Sequence, residues 1–294
     1  MNFFRFFFSI FFTLLFVTAC RVQNIPISTS GIKVLAAESF LADITQQVAG
    51  GRTQVDGLIP AGLDPHSFEP TPREMAKVAD CDLLIISGAG LEEWLKGILI
   101  NIGGSKKIME ASTGLQSNNG DPHFWLDPIN VITYVNNIRD ALISIDPQGK
   151  TAYSSNAEAY IRQLRELDAW IKDQVSKIPP AQRLLVTNHE TLGYFAARYG
   201  FQVVGSLIPS LSTDASPSAQ QLAQLTDAIR STTAKVIFLD VGNNPQLADQ
   251  IASETKAKVV TELYSESLSP ADGQAPTYIA MMKYNVSIIV SALQ

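Results

Sequence analysis

Residues Thr151 to Ile178 carry the longest unbroken helical pattern in the chain, and this stretch limits the possible folds more than any other. Tyr160, Leu164, Leu167, Ile171, Val175 and Ile178 recur at three- and four-residue steps, which places them on one face of a helix. Pro179 and Pro180 end the pattern, because neither supplies the amide that another helical turn needs. At a rise of about 1.5 Å per residue, such a helix is roughly 40 Å long, the height of a small domain. It lies near the middle of the chain and predicts a connector between two halves. The alternative is a helix packed inside one domain.

Both halves alternate strands with helices. Before the long helix, strands are expected over 32–37, 54–59, 83–87 and 107–110, with helices over 38–48, 91–101 and 130–145. A further helix opens at Thr71-Pro72, with Thr71 as cap, Pro72 in the first position and Glu74 in the first turn. After it, strands are expected over 183–187, 202–204, 236–240 and 259–263, and helices over 192–199, 218–231, 245–255 and 277–293. This alternation is the signature of parallel sheets. The expected fold class is therefore α/β, with two pseudo-symmetric lobes of mainly parallel sheet joined by a long rigid backbone helix. The lobes are 32–150 and 179–294, the linking helix is 151–178, and each half is long enough to bury its own sheet.

The first residues read as an export signal. Arg5 supplies a positive start and Phe6 to Val17 an apolar stretch too short to span a membrane comfortably. It ends in Leu15-Phe16-Val17-Thr18-Ala19-Cys20, small residues before a cysteine, as in a bacterial lipobox. The expectation is a signal peptide over 1–20, lipidation at Cys20 and a polar tether over 21–31, anchoring the protein to a membrane without spanning it. An ordinary signal peptide or an uncleaved anchor is the alternative. Cys81, the other cysteine, opens an apolar run and is expected to be a small buried hydrophobe. A formal charge of −6 and no basic patch argue against a nucleic-acid partner.

The chain has three histidines, and each follows a predicted strand or a turn-rich loop. Two sit in copies of one tripeptide, Asp64-Pro65-His66 and Asp121-Pro122-His123. The third is His189, in Thr187-Asn188-His189-Glu190, after the apolar run Leu184 to Val186. Ligands of open α/β sheets bind beyond the carboxyl ends of strands, and imidazole is the commonest side-chain ligand of borderline metals. The three loops are expected to converge on one metal ion; unrelated turn histidines are the alternative. Glu266, in Leu263-Tyr-Ser-Glu-Ser-Leu268, is the candidate fourth ligand, and Asp240, at the end of a strand, is its rival. A fourth position left open would suggest a hydrolytic zinc site. The chain contains no HExxH helix, G-x-S-x-G elbow, P-loop or dinucleotide-binding turn.

Together these segments resemble a known family. Gly62-Leu-Asp-Pro-His66-Ser-Phe-Glu-Pro70, Asp121-Pro-His-Phe-Trp-Leu-Asp-Pro128, Asn188-His-Glu-Thr-Leu-Gly-Tyr-Phe195 and Thr277-Tyr-Ile-Ala-Met-Met-Lys-Tyr-Asn285 are similar to the cluster A-I metal-binding lipoproteins. These are solute receptors of bacterial ABC importers for zinc and manganese. The resemblance implies a monomeric, non-enzymatic receptor outside the cytoplasmic membrane that hands a divalent ion to an ABC permease. It assigns ligand roles to His66, His123 and His189. The family usually has aspartate where Glu266 stands, and Asp240 matches an acidic position read as supporting. Three imidazoles and one carboxylate favour zinc over manganese, which prefers more oxygen. The His-rich acidic loop of many zinc-dedicated members is missing before His123, so manganese stays open and iron less so. The other classes considered are a secreted zinc hydrolase and an adhesion lipoprotein.

Overall fold

The inner strands are short apolar runs, and their burial on both faces demands helices above and below. The computed structural model describes residues 31–102, 107–232 and 234–294. The signal peptide, Cys20 and all of the tether but Gly31 lie outside the described residues. The first sheet contains β1 (Val34–Ala36), β2 (Val55–Gly57), β3 (Leu83–Ile86) and β4 (Lys107–Glu110), in the order β2-β1-β3-β4. The second contains β5 (Leu184–Thr187), β6 (Gln202–Ser206), β7 (Val236–Asp240) and β8 (Lys258–Leu263), in the equivalent order β6-β5-β7-β8. Every pairing is parallel. The two α/β lobes therefore have one topology, as the alternation of the sequence implies.

The helices are α1 (Ser39–Ala49), α2 (Pro72–Asp80), α3 (Glu93–Ile102), α4 (Pro128–Ile145), α5 (Lys150–Ser176), α6 (Gly193–Tyr199), α7 (Ala219–Thr232), α8 (Gln246–Thr255) and α9 (Tyr278–Leu293). Their ends follow cap chemistry. At the start of α2, Thr71 accepts the Arg73 amide while Glu74 accepts that of Thr71. Helix α4 begins two residues before the expected Asn130, because Asp127 caps it through the Ile129 amide at 2.8 Å and Pro128 takes the first position. Gly200, at φ 72°, closes α6 in the left-handed conformation that other residues resist.

Helix α5 is the expected backbone, and it does more than connect. Its stripe of Tyr160, Leu164, Leu167, Ile171 and Val175 is buried, and it packs against α4, α1, α9 and α6. One apolar cluster consequently runs through both lobes, from Val34, Phe40 and Leu83 to Phe195, Phe238 and Met281. Strand periodicity explains which residues join it. Leu83 and Ile85 point into the shared core, while Leu84 between them joins a separate outer cluster with Leu58 and Leu95. Val236 and Phe238 do the same in the second sheet, with Ile237 and Leu239 facing outward. The halves thus keep private outer layers but share the inner one. Burying Leu164, Leu167, Ile171 and Val175 contributes on the order of 10 kcal/mol, far more than any surface ion pair.

Polar bonds fix the same junction. Arg198 Nε on α6 lies 2.6 Å from Asp168 on α5 and 3.1 Å from Asp127 at the head of α4. Tyr199 donates to the same Asp168 carboxylate at 3.1 Å. Cys81 is buried, as expected. No helix among the described residues is long and apolar enough to cross a membrane.

Candidate metal centre

Both copies of Asp-Pro-His fold the same way. The aspartate accepts the amide of the histidine two residues on, at 2.8 Å from Asp64 to His66 and 2.9 Å from Asp121 to His123. This is an Asx turn, in which a short carboxylate mimics a backbone acceptor and turns the chain back. It aims each imidazole inward from the loops after β2 and β4. Trp94 of α3 braces the first loop by donating to the Pro65 carbonyl at 2.9 Å. His189 stands two residues beyond β5, where Thr187 Oγ1 donates to its carbonyl at 2.7 Å. Glu266 stands three residues beyond β8.

The four side chains meet. Each offers one donor atom, and these atoms all lie within 4.8 Å of one another. The Nε2 atoms of His66 and His123 are 3.2 Å apart. Glu266 Oε1 is 3.3 Å from His189 Nε2 and 3.6 Å from His123 Nε2, and Oε2 is 3.8 Å from His66 Nε2. Ligands held about 2.0–2.2 Å from a tetrahedral ion stand roughly 3.3–3.6 Å apart, so the spacing fits one first-row ion. His123 and His189 are fully buried.

Neither ring nitrogen of His189, nor Glu266 Oε2, has a satisfactory hydrogen-bond partner among the described residues. A buried polar atom left unpaired costs about 1–3 kcal/mol, so this donor set suits a bound cation better than a protein-only network. The electrostatics agree. Burial works against the Glu266 carboxylate, but the imidazoles of His123, His189 and His66 hold it well below the usual range. Burial, helped by the neighbouring imidazoles, lowers the pKa of His66 and favours the neutral ligand form. At His189 burial acts the same way, but Glu266 outweighs it and raises the pKa.

Asp240 lies outside this quartet. Its Oδ1 accepts the Ser265 amide at 2.6 Å, so it supports the Glu266 loop from behind. Burial and the Glu266 charge push its pKa up to about 6. Three residues not singled out in the sequence complete the surroundings. Asp121 also takes His123 Nδ1 at 2.8 Å, which leaves Nε2 free to face the other donors. Thr191 donates to Glu266 Oε1 at 2.9 Å. Trp125 stacks on Phe40 at 4.4 Å, lies edge-on to His123 and donates to the Ser265 carbonyl at 2.8 Å. Of the three, only Asp121 recurs in the sequence, through the repeated tripeptide, while Trp125 and Thr191 lie within the family-like segments with no role assigned.

Residues 34–292 match the family described as zinc-uptake complex component A, periplasmic. The chain belongs to that family. Other members share most of its length. The manganese-binding lipoprotein MntA of Halalkalibacterium halodurans is 34% identical over 287 residues, with 95% of each chain covered. The iron-binding protein YfeA of Yersinia pestis is 32% identical, covering 95% of this chain and 92% of its own. Among solved structures, a serine-to-alanine mutant of a manganese-bound periplasmic metal binding protein from candidatus liberibacter asiaticus superposes with a TM-score of 0.81 at 32% identity. That match covers 89% of this chain and all of the other. The periplasmic zinc binding protein TroA from Treponema pallidum gives 0.83 at 25% identity, covering 90% and 99%. The family and the two-lobed fold expected from the sequence are the ones found.

Proposed function

We propose that this chain captures a divalent transition metal ion outside the cytoplasmic membrane and presents it to an ABC permease. His66, His123, His189 and Glu266 are the ligands. The observation that carries this reading is the convergence of four donors, three of them on buried residues, within 4.8 Å of one another. Zinc is the favoured ion, because three imidazole nitrogens and one carboxylate suit it. Manganese is the second reading, supported by relatives named as manganese-binding. The protein acts as a receptor and not as a catalyst. Four protein donors leave no ligand position for an activated water, which a hydrolytic zinc site needs.

In this reading residues 32–150 and 179–294 are the two lobes and 151–178 the helix between them. His66 and His123 come from the first lobe, and His189 and Glu266 from the second. Lipidation at Cys20 anchors a monomer to the cell membrane, and the ion is cargo that leaves again. The test is elemental analysis of the natively purified chain, followed by competition between zinc and manganese. One tightly held zinc per chain is expected, with His123→Ala retaining none. Preferential retention of manganese would overturn the choice of metal, and a chain that binds neither would overturn the receptor itself.

A further inference from the structure

Two hydroxyl groups of the second lobe hold down the loop that carries His66, and none of their bonds involves a ligand atom. Thr213 Oγ1 donates to Asp64 Oδ2 at 2.6 Å. Ser267 Oγ accepts the Gly62 amide at 2.6 Å and lies 3.1 Å from Ser39 Oγ. Ser39 Oγ in turn accepts the Leu268 amide at 2.9 Å. Asp64 uses its other oxygen to hold the His66 amide, so a pull on Asp64 is passed directly to a ligand loop.

A cavity of about 270 Å³ lies between these two clasps. By its share of liquid volume this is space for roughly nine waters, enough for a partly hydrated ion. Its outer lining includes the exposed Gly62, Leu63 and Val241, so its mouth is at the surface. Its inner lining includes Asp240, Glu266 and His189, but not His66 or His123. The cavity therefore meets the ligand quartet from the Glu266 and His189 side, under the edge of the His66 loop. Asp240 offers a carboxylate along its wall.

We infer that this cavity is the ion's path into and out of the site, and that Thr213 and Ser267 are positioning residues that hold its rim, the His66 loop, in place. The inference rests on the metal-receptor reading above. A clasp that touches no ligand governs how often the path opens and not how tightly the ion is held. Its loss speeds capture and escape together, whereas a displaced ligand speeds escape alone and weakens affinity to match.

The test is rapid-mixing kinetics on the full chain, with zinc alone for association and a chelator for dissociation. Thr213→Ala and Ser267→Ala are each expected to raise both rates about three- to tenfold, the effect of losing one or two hydrogen bonds. The equilibrium constant stays within about threefold. Thr213→Ser and Ser267→Thr keep the hydroxyl and are expected to restore wild-type rates. Unchanged rates in both alanine variants overturn the inference, as does faster dissociation with an equal loss of affinity. Thr213 lies far from Glu266 in sequence, so it decides the question if Ser267→Ala fails to fold. Should the wild type take up neither zinc nor manganese, the receptor reading fails as well. Wild-type binding with unaltered variant kinetics sinks the clasps alone.

Discussion

Glu38 and His189 occupy the same slot in two sheets of the same strand order. Each stands two residues past an inner strand, β1 or β5, and each is almost fully buried. His189 faces Glu266 across the centre. Glu38 instead meets Glu92, whose carboxylate is held by the amides of Ser87 and Gly88 at 2.6 and 3.1 Å. Burial, with the Glu92 charge beside it, raises the Glu38 pKa well above normal and favours its uncharged form. One pair of edge slots behaves differently. The loops after β4 and β8, which are also equivalent, carry His123 and Glu266, and both contribute donors. Repetition of the fold supplied equivalent strand ends, and side-chain chemistry decided which of them became part of the centre.

The largest effect expected from this comparison separates the two inner slots. His189→Ala is expected to lower zinc affinity more than 100-fold, beyond the roughly 10–100-fold lost with an outer partner of a ligand. Glu38→Gln is expected to leave affinity within about threefold. Calorimetric titration of both variants reads the contrast, and equal losses would mean that both slots serve the ion.

The next effect separates the two Asp-Pro-His copies. Asp121 holds both the amide and Nδ1 of His123, while Asp64 holds only the amide of His66 and the Thr213 hydroxyl. Asp121→Ala is expected to weaken zinc binding about 10–100-fold, because the imidazole loses the partner that orients it. Asp64→Ala is expected to cost less at equilibrium. The reverse order would show that the turn, and not the ring contact, sets the ligand.

The smallest effect is on stability. Glu38 has a higher pKa folded than unfolded, so its contribution is fully present below its ordinary value near 4.5. That contribution is lost as pH rises through the folded value. Glu38→Gln is thus expected to melt above the wild type at pH 8, by about 2–4 °C for each kcal/mol recovered. The gap should close as pH falls toward about 4.5. A gap that does not change with pH would show that Glu38 ionises freely where it sits.

Much of this was legible in the sequence because it rests on local periodicity and local turns. The stripe from Tyr160 to Val175 announced α5, and the alternation announced two parallel sheets. His66, His189 and Glu266 were visible as polar residues following apolar runs, and His123 through the repeated Asp-Pro-His tripeptide. Partners brought together only by tertiary packing were not visible. Trp125 reads as one more aromatic until Phe40 stacks on it and Ser265 accepts from it. Thr191 and Thr213 are ordinary hydroxyls until the lobes meet. The shared core was also hidden, since a strand buried on both faces does not say which layer it shares.

The shared core has a consequence for how the chain comes into being. Helix α9 is the last helix in the sequence, yet it packs against α1 near the start and α5 in the middle. Tyr278 at its head donates to the Trp125 carbonyl at 2.6 Å and binds Asp43 through its amide at 2.8 Å. A nascent chain still emerging from its channel lacks this wall and, just before it, Glu266. Domains usually fold as synthesis releases them. Here the inner face of the first lobe is covered only when α9 packs on it, so closing the shared core and bringing in the Glu266 donor go together.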